Sequence, residues 1–293
     1  IMLNTILKIR DAVISHKKNI LKNLMFAITM VLLTIVSYAI YDGFIKTSVV
    51  AISDEYSNGD MNCSVVGINL HGMLLTYIPP KNENDSFENT DVVASEEVIY
   101  LIKQANEDDA VKAIVIEVDS SGGLPVAGEE ISNALKNSSK PTVGVIRSSG
   151  LSAAYWAVTG ADYIFASRNS DVGSIGVTSS YLENVGKNQK DGNVYVQLSS
   201  GKYKDAGDPD RTLTQEEKQL FLRDIKIVHE NFISDVATNR DISVTDVQKI
   251  ADGSSVLGEQ AKKLHLIDDI GGISEVEKYL EGIIGEKPEI CWY

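Results

Sequence analysis

The chain has 293 residues, 43% of them apolar and 23% charged, which is enough for one large domain or two small ones. Its net charge of −14 argues against a general nucleic-acid binder, because phosphate backbones call for a basic surface. Cys63 and Cys291 form no CxxC pair, and no His/Cys cluster has zinc spacing, so no metal is expected. One disulfide and two free thiols both remain open.

From the N-terminus, residues 1–23 are basic, with Lys8, Arg10, Lys17, Lys18 and Lys22 against the single acid Asp11. Residues 24–41 follow, and Leu24 to Ile40 carries no charge. That run is slightly short of the roughly 20 residues that span a bilayer, and Tyr38 and Tyr41 extend it into the interface. The positive-inside rule keeps the basic end cytoplasmic and sends the remainder across. Ser37-Tyr38-Ala39 resembles a signal-peptide cleavage site, but the long basic preamble favours an uncleaved transmembrane anchor in the cell membrane. Residues 42–62 are polar and read as a juxtamembrane linker, 63–284 as the main domain, and 285–293 as a C-terminal tail.

Within the main domain, Val65 to Leu70 and Leu74 to Ile78 are strand candidates, followed by a breaker-rich polar loop, Pro79 to Asn89. Ser95 to Asn106 has helical periodicity. Ala113 to Val118 is a short β-branched run, as in a buried parallel strand, and ends in Asp119-Ser120-Ser121-Gly122-Gly123. Val126 to Leu135 predicts a helix, Thr142 to Ile146 a strand, Ser152 to Val158 a helix and Tyr163 to Ala166 a strand. Such alternation predicts an α/β fold with βα units crossing over a mostly parallel sheet. Farther on, Thr214 and Glu217 fit a capping box, and Phe221, Ile225, Val228, Phe232 and Val236 form a core-facing stripe. Short helices are expected at Val244 to Ile250 and Gln260 to Leu264, and a last one begins at Ser274.

The chemistry centres on Ser148-Ser149-Gly150-Leu151-Ser152-Ala153-Ala154. A serine on a strand-to-helix turn exposes its hydroxyl, while the following N–H groups face a developing oxyanion. Ser152 is therefore the candidate nucleophile, and the Ala153 N–H with Gly122 or Gly123 a candidate oxyanion hole. By itself each motif is also an ordinary βα turn. The glycine-flanked loop 200–207 supplies lysines, and the histidines (His16, His71, His229, His265) fall in no motif, so a lysine base is favoured over a Ser-His-Asp triad. Asp119 and Asp162 fit turn or capping roles.

Together, DSSGG, SAAYWAVTGAD, DVGSIGV, SGKYKDAGDPDRTLTQEE and IADGSSVLGEQAKKLHLIDDIGG resemble, in order, blocks of the signal peptide peptidase A (SppA) family of membrane-anchored serine peptidases. The resemblance covers roughly residues 64 to 280. It implies a ClpP/crotonase-like parallel-sheet βα superhelix and a Ser-Lys dyad with no cofactor. Ser152 matches the nucleophile, Lys204 the general base, Ser174 a serine that positions the lysine, and Gly122 and Ala153 the oxyanion hole. It also implies cleavage of signal peptides or other membrane-released peptides by a homo-oligomeric ring with shared active sites, the catalytic domain lying outside the cytoplasm. Ser121 stands for the family's proline, and Ala153-Ala154 for two glycines. The SAAYW spelling is also similar to phage capsid-maturation peptidases. A catalytically idle scaffold is the reading from a different class, and an acyl-CoA enzyme of the same fold does not suit a membrane anchor.

Overall fold

The computed structural model describes residues 25, 29–34, 36–38, 63–78 and 91–293. The chain divides into two units, Ile1–Met61 and Asn62–Tyr293. In the first, residues 29–34 and 36–38 are helical, and Met30, Leu32, Leu33 and Val36 are exposed. No helix among the described residues is long and apolar enough to cross a membrane. The rest of the 24–41 segment lies outside the described residues, as do the basic preamble 1–23, the linker 42–62 and the loop 79–89.

The second unit is built on a sheet in the order β2-β1-β3-β4-β5-β8. Its strands are β1 (Val65–Leu75), β2 (Val92–Ala94), β3 (Ala113–Gly123), β4 (Thr142–Leu151), β5 (Tyr163–Ala166) and β8 (Asp269–Ile270). Every pairing along this path is parallel. β6 (Asp171–Gly173) joins the end of β4 in parallel and pairs antiparallel with β7 (Ser255–Leu257). The helices are α1 (Ser95–Glu107), α2 (Pro125–Lys136), α3 (Ala153–Val158), α4 (Val185–Lys190), α5 (Gln215–Asn239), α6 (Val244–Ile250), α7 (Gly258–Lys263) and α8 (Ile273–Ile284).

Alternation along the strands sorts the core into two layers. Ile68, Leu70, Ile114, Ile116, Val118 and Ile146 point to the face covered by α1, α2 and α3. Val65, Ala113, Val115, Val143, Val145 and Phe165 point to the other, where Val276 and Leu280 of α8 meet them. Burial on both faces is what makes these strands read as continuous apolar runs.

The sheet extends beyond the sequence-based boundaries. Residues 65–75 form one strand where two were expected, and β3 and β4 each continue five residues past their apolar runs. The DSSGG segment is thus strand, because β1 and β4 on either side supply ladder partners that outweigh the turn preference of Ser and Gly. The stripe on α5 is fully buried at Phe232 and Val236 only; Phe221, Ile225 and Val228 are half-buried, and Val228 packs against the edge of the core.

Ile290–Trp292, within the segment read as a tail, forms β9 and pairs in parallel with Val65–Gly67. A disulfide joins Cys63 to Cys291 over a separation of 228 residues. Closing so long a loop removes chain entropy from the unfolded state, worth about 5 kcal/mol in the loop-closure model. Reduction, or Cys63→Ser, is expected to lower the melting temperature by about 10 °C or more for a domain of this size. Calorimetry with and without reductant checks this; an unchanged transition would show that the bond contributes nothing.

Candidate active site

Ser152 stands between the last residue of β4 and the first of α3. Its backbone has φ 52° and ψ −126°, a region that a residue with a Cβ enters only when its surroundings force it, at about 1–3 kcal/mol. Two bonds hold it there. The Ser152 N–H donates to Gly173 O at 2.8 Å, and the Trp156 N–H to Ser152 O at 2.9 Å. The sharp turn leaves the side chain half-exposed at the head of a helix that is itself buried from Ala153 to Val158. The Oγ makes no hydrogen bond among the described residues.

Gly122 lies over this turn. A Cβ placed on it would come 2.8 Å from the Ser152 Cβ and 3.1 Å from the Ala153 nitrogen, and its φ of +110° suits glycine alone. The Ala153 N–H is the first of α3 and has no carbonyl four residues back to bond. The strand end of β3 and the helix start of α3 therefore converge beside the serine hydroxyl. One detail departs from the expected oxyanion hole: the Gly122 N–H donates to Ser120 Oγ at 3.0 Å.

Ser174 follows directly on the Gly173 that binds Ser152, again at φ 52°. Its N–H donates to Ser254 O at 3.1 Å and its hydroxyl to Gly253 O at 2.9 Å, leaving the Ser174 oxygen lone pairs as acceptors near the turn. Ser152, Ala153, Gly122 and Ser174 are thus drawn from three strand ends and one helix start.

Lys204 is not hydrogen-bonded to any of them. It is exposed, in the loop ahead of α5, and takes no ion pair or side-chain hydrogen bond among the described residues. The loop beside it is fixed. Tyr195 OH donates to Asp205 Oδ2 at 3.1 Å, and Arg211 donates to Asp205 O at 2.6 Å while gripping Glu217 with both guanidinium arms. Lys202 is a contrast two residues away. It pairs with Glu216 at 2.5 Å and lies 5.0 Å from the centre of the Tyr203 ring. The Glu216 hydrogen bond, then that of Tyr203, raises the Lys202 pKa, so this lysine is held charged and unsuited to take a proton.

None of the described histidines bonds to Ser152. His71 meets Glu117 at 3.1 Å, and Arg147 holds the same carboxylate at 2.8 Å. Asp119 accepts from the Ser149 N–H and hydroxyl, and Asp162 accepts from the Thr142 N–H and hydroxyl, which are structural roles. Among the described residues no group of His, Cys, Asp and Glu could hold a metal ion.

With this geometry in view, the family match is informative. Residues 134–283, just over half of the chain, match the description "Peptidase family S49". The chain belongs to that family. Among its relatives, a "putative protease" of Methanocaldococcus jannaschii is 36% identical over 198 residues, covering 67% of this chain and 64% of the relative. A "putative signal peptide peptidase SppA" of Enterococcus faecium is 31% identical over 58% of this chain and 50% of its own length. Protease 4 of Haemophilus influenzae is 30% identical over 66% and 32%. The chain therefore spans between a third and two thirds of these relatives. Among solved structures, a ClpP1 mutant from Listeria monocytogenes superimposes with a TM-score of 0.45 at 15% identity, over 70% of this chain and 91% of that one.

Two outcomes follow from the site's construction. Ser152→Gly is expected to be more stable than Ser152→Ala by about 1 kcal/mol, because only glycine relieves the positive φ. Chemical denaturation of the two variants measures this, and an alanine variant of equal or greater stability would show that the turn stores no strain. The second concerns Glu217, whose carboxyl the Arg211 hydrogen bond, then the Thr214 N–H, pulls down to about 2. A depressed carboxyl stabilises the fold above its unfolded pKa of about 4.3, and the gain fades as pH falls toward 2. Glu217→Gln should therefore melt below wild type at pH 7, with the gap closing in acid; a gap independent of pH would remove the ion pair as its cause.

Proposed function

We propose that this S49 member is a membrane-tethered serine endopeptidase in which Ser152 is the nucleophile and Lys204 the general base. The observation that carries the reading is the strained Ser152 turn, with its half-exposed side chain next to the first amide of a buried helix and under Gly122. A residue is held in such a conformation where exposing one atom is worth the strain. The protease names of the relatives support the same reaction class.

In the proposed reaction, neutral Lys204 Nζ takes the hydroxyl proton as Ser152 Oγ attacks a peptide carbonyl. The Ala153 N–H and the Gly122–Gly123 arm stabilise the oxyanion. The C–N bond then breaks, the lysine's new proton leaves with the amine, and water hydrolyses the acyl-serine with the lysine again as base. Ser174 Oγ, with its proton committed to Gly253, accepts a hydrogen bond from the lysine and orients it.

A lysine is neutral at working pH when it is desolvated or set beside another positive charge, and the Lys204 loop is exposed within one chain. Shared sites answer this: we infer a homo-oligomeric ring in which each Lys204 loop is covered by a neighbouring copy and meets its Ser152. The exposed apolar side chains of Leu182, Val194, Val196 and Leu198, on the same arm as the lysine, support a covered surface. The catalytic domain is residues 63–293, its last residues tied to β1 by β9 and the Cys63–Cys291 bond, in a ClpP/crotonase-like superhelix outside the cytoplasm. The charge-free run in residues 24–41 supports the tether, and unfolded or membrane-released peptides, signal peptides among them, are the substrates that a ring would admit.

Ser152→Ala and Lys204→Met should each abolish peptide hydrolysis, while Lys202→Met retains most of it. Mixing the two inactive proteins should restore activity, because some interfaces then combine an intact serine with an intact lysine. Wild-type turnover in either single variant, or a fully active monomer in sedimentation, would overturn the assignment.

A further inference from the structure

Ser120 lies in β3, two residues before Gly122, and is 2% exposed. Its hydroxyl proton goes to Gly72 O at 2.5 Å, and its oxygen accepts the Gly122 N–H at 3.0 Å. A buried hydroxyl with both its proton and a lone pair committed has a single orientation. Both partners are special positions of the backbone. Gly72 has φ +79°, and a Cβ there would lie 2.1 Å from Asp91 O; Gly122 has φ +110° and lies over Ser152.

The strand ladders are irregular on both sides of this serine. The β1–β3 register shifts between His71 and Met73, and the β3–β4 register between Val118 and Ser120. Beyond the shift the β1–β3 ladder resumes, with Met73 opposite Gly122 and Leu74 opposite Gly123. Ser120 bridges the irregular stretch itself, where the ladder offers no regular pair. It ties the bulge in β1 to the peptide joining Ser121 and Gly122, and so fixes where the next peptide, carrying the Gly123 N–H, begins.

We propose that Ser120 is a positioning residue for the oxyanion arm: it holds the Gly122–Gly123 backbone at the height over Ser152 that a tetrahedral intermediate requires. The inference rests on the reading of Ser152 as nucleophile. Ser120 touches neither substrate nor the reacting atoms. Its loss lets the arm relax, and misplacement of donors by about 1 Å costs about 100-fold in such sites.

The test compares a short N-blocked peptide aldehyde, which forms an oxyanion on the serine, with the alcohol obtained by reducing it, which forms none. Affinities are measured on the full chain for wild type, Ser152→Ala, Ser120→Ala and Ser120→Cys, with melting temperatures alongside. Wild type should prefer the aldehyde, and Ser152→Ala should abolish the preference. Ser120→Ala should lower aldehyde affinity and kcat by about 30- to 100-fold while alcohol affinity and KM stay within about twofold, and Ser120→Cys should fall between. If both ligands weaken in parallel with melting temperature, the role is structural and the proposal falls. If Ser120→Ala keeps the full preference while Ser152→Ala loses it, the nucleophile reading stands and the Ser120 inference alone is overturned. A wild-type chain with no preference overturns both.

Discussion

The bond from the Ser152 N–H to the Gly173 carbonyl is the constraint on which the site depends. It makes a strained backbone the lowest state available to residue 152, because releasing the strain would leave an amide and a carbonyl unpaired beside a buried helix. The carbonyl is offered from β6, and β6 is held by β4 on one side and β7 on the other. The geometry of the Ser152 turn is thus set by a three-residue strand, whose position depends in turn on β7, more than eighty residues away along the chain. Ser174, one residue beyond the anchoring carbonyl, inherits its place near the turn from the same arrangement.

The arm that carries Lys204 is organised differently. Its loop is stitched to the head of α5 by Arg211, Glu217 and Thr214, a cluster of local bonds that does not involve the sheet. The half of α5 beyond it packs through Phe232 against Trp156 of α3, with the rings stacked 4.6 Å apart, and the Trp156 indole N–H reaches Asp235. The helix that begins at the lysine loop therefore ends on the helix that begins at the serine. The helix thus connects the two halves of the proposed dyad, between which no hydrogen bond forms among the described residues of one chain.

Much of this was legible in the sequence for physical reasons. Two-faced burial wrote β3, β4 and β5 as β-branched runs, and a serine among small residues marked the strand-to-helix turn. The Thr214–Glu217 capping box gave the start of α5, because both reciprocal bonds are local. What escaped was whatever depends on partners distant in sequence. β6, β7 and β9 have three residues each and carry no periodic signal; they are strands because a neighbour offers a ladder. The Cys63–Cys291 bond could not be chosen over free thiols without knowing that β9 lies beside the start of β1. Ser120 reads as a turn residue in DSSGG, and only the bulge at Gly72, nearly fifty positions earlier, reveals what its hydroxyl holds. The half-buried stripe in the first half of α5 has the same apolar spacing as the fully buried second half, so periodicity alone could not separate them.

The edges of the sheet limit how copies of this chain can meet. One outer flank of β1 is covered at its start by β9 and at its end by β2, each three residues long; the opposite border of the sheet is β8, two residues long. Strands this short offer too few unpaired amides and carbonyls to template another strand. Among the described residues, neither border offers a long free strand to which another chain's sheet could add. Contacts between copies of this chain are therefore carried by side chains, and it is their complementarity that selects one arrangement.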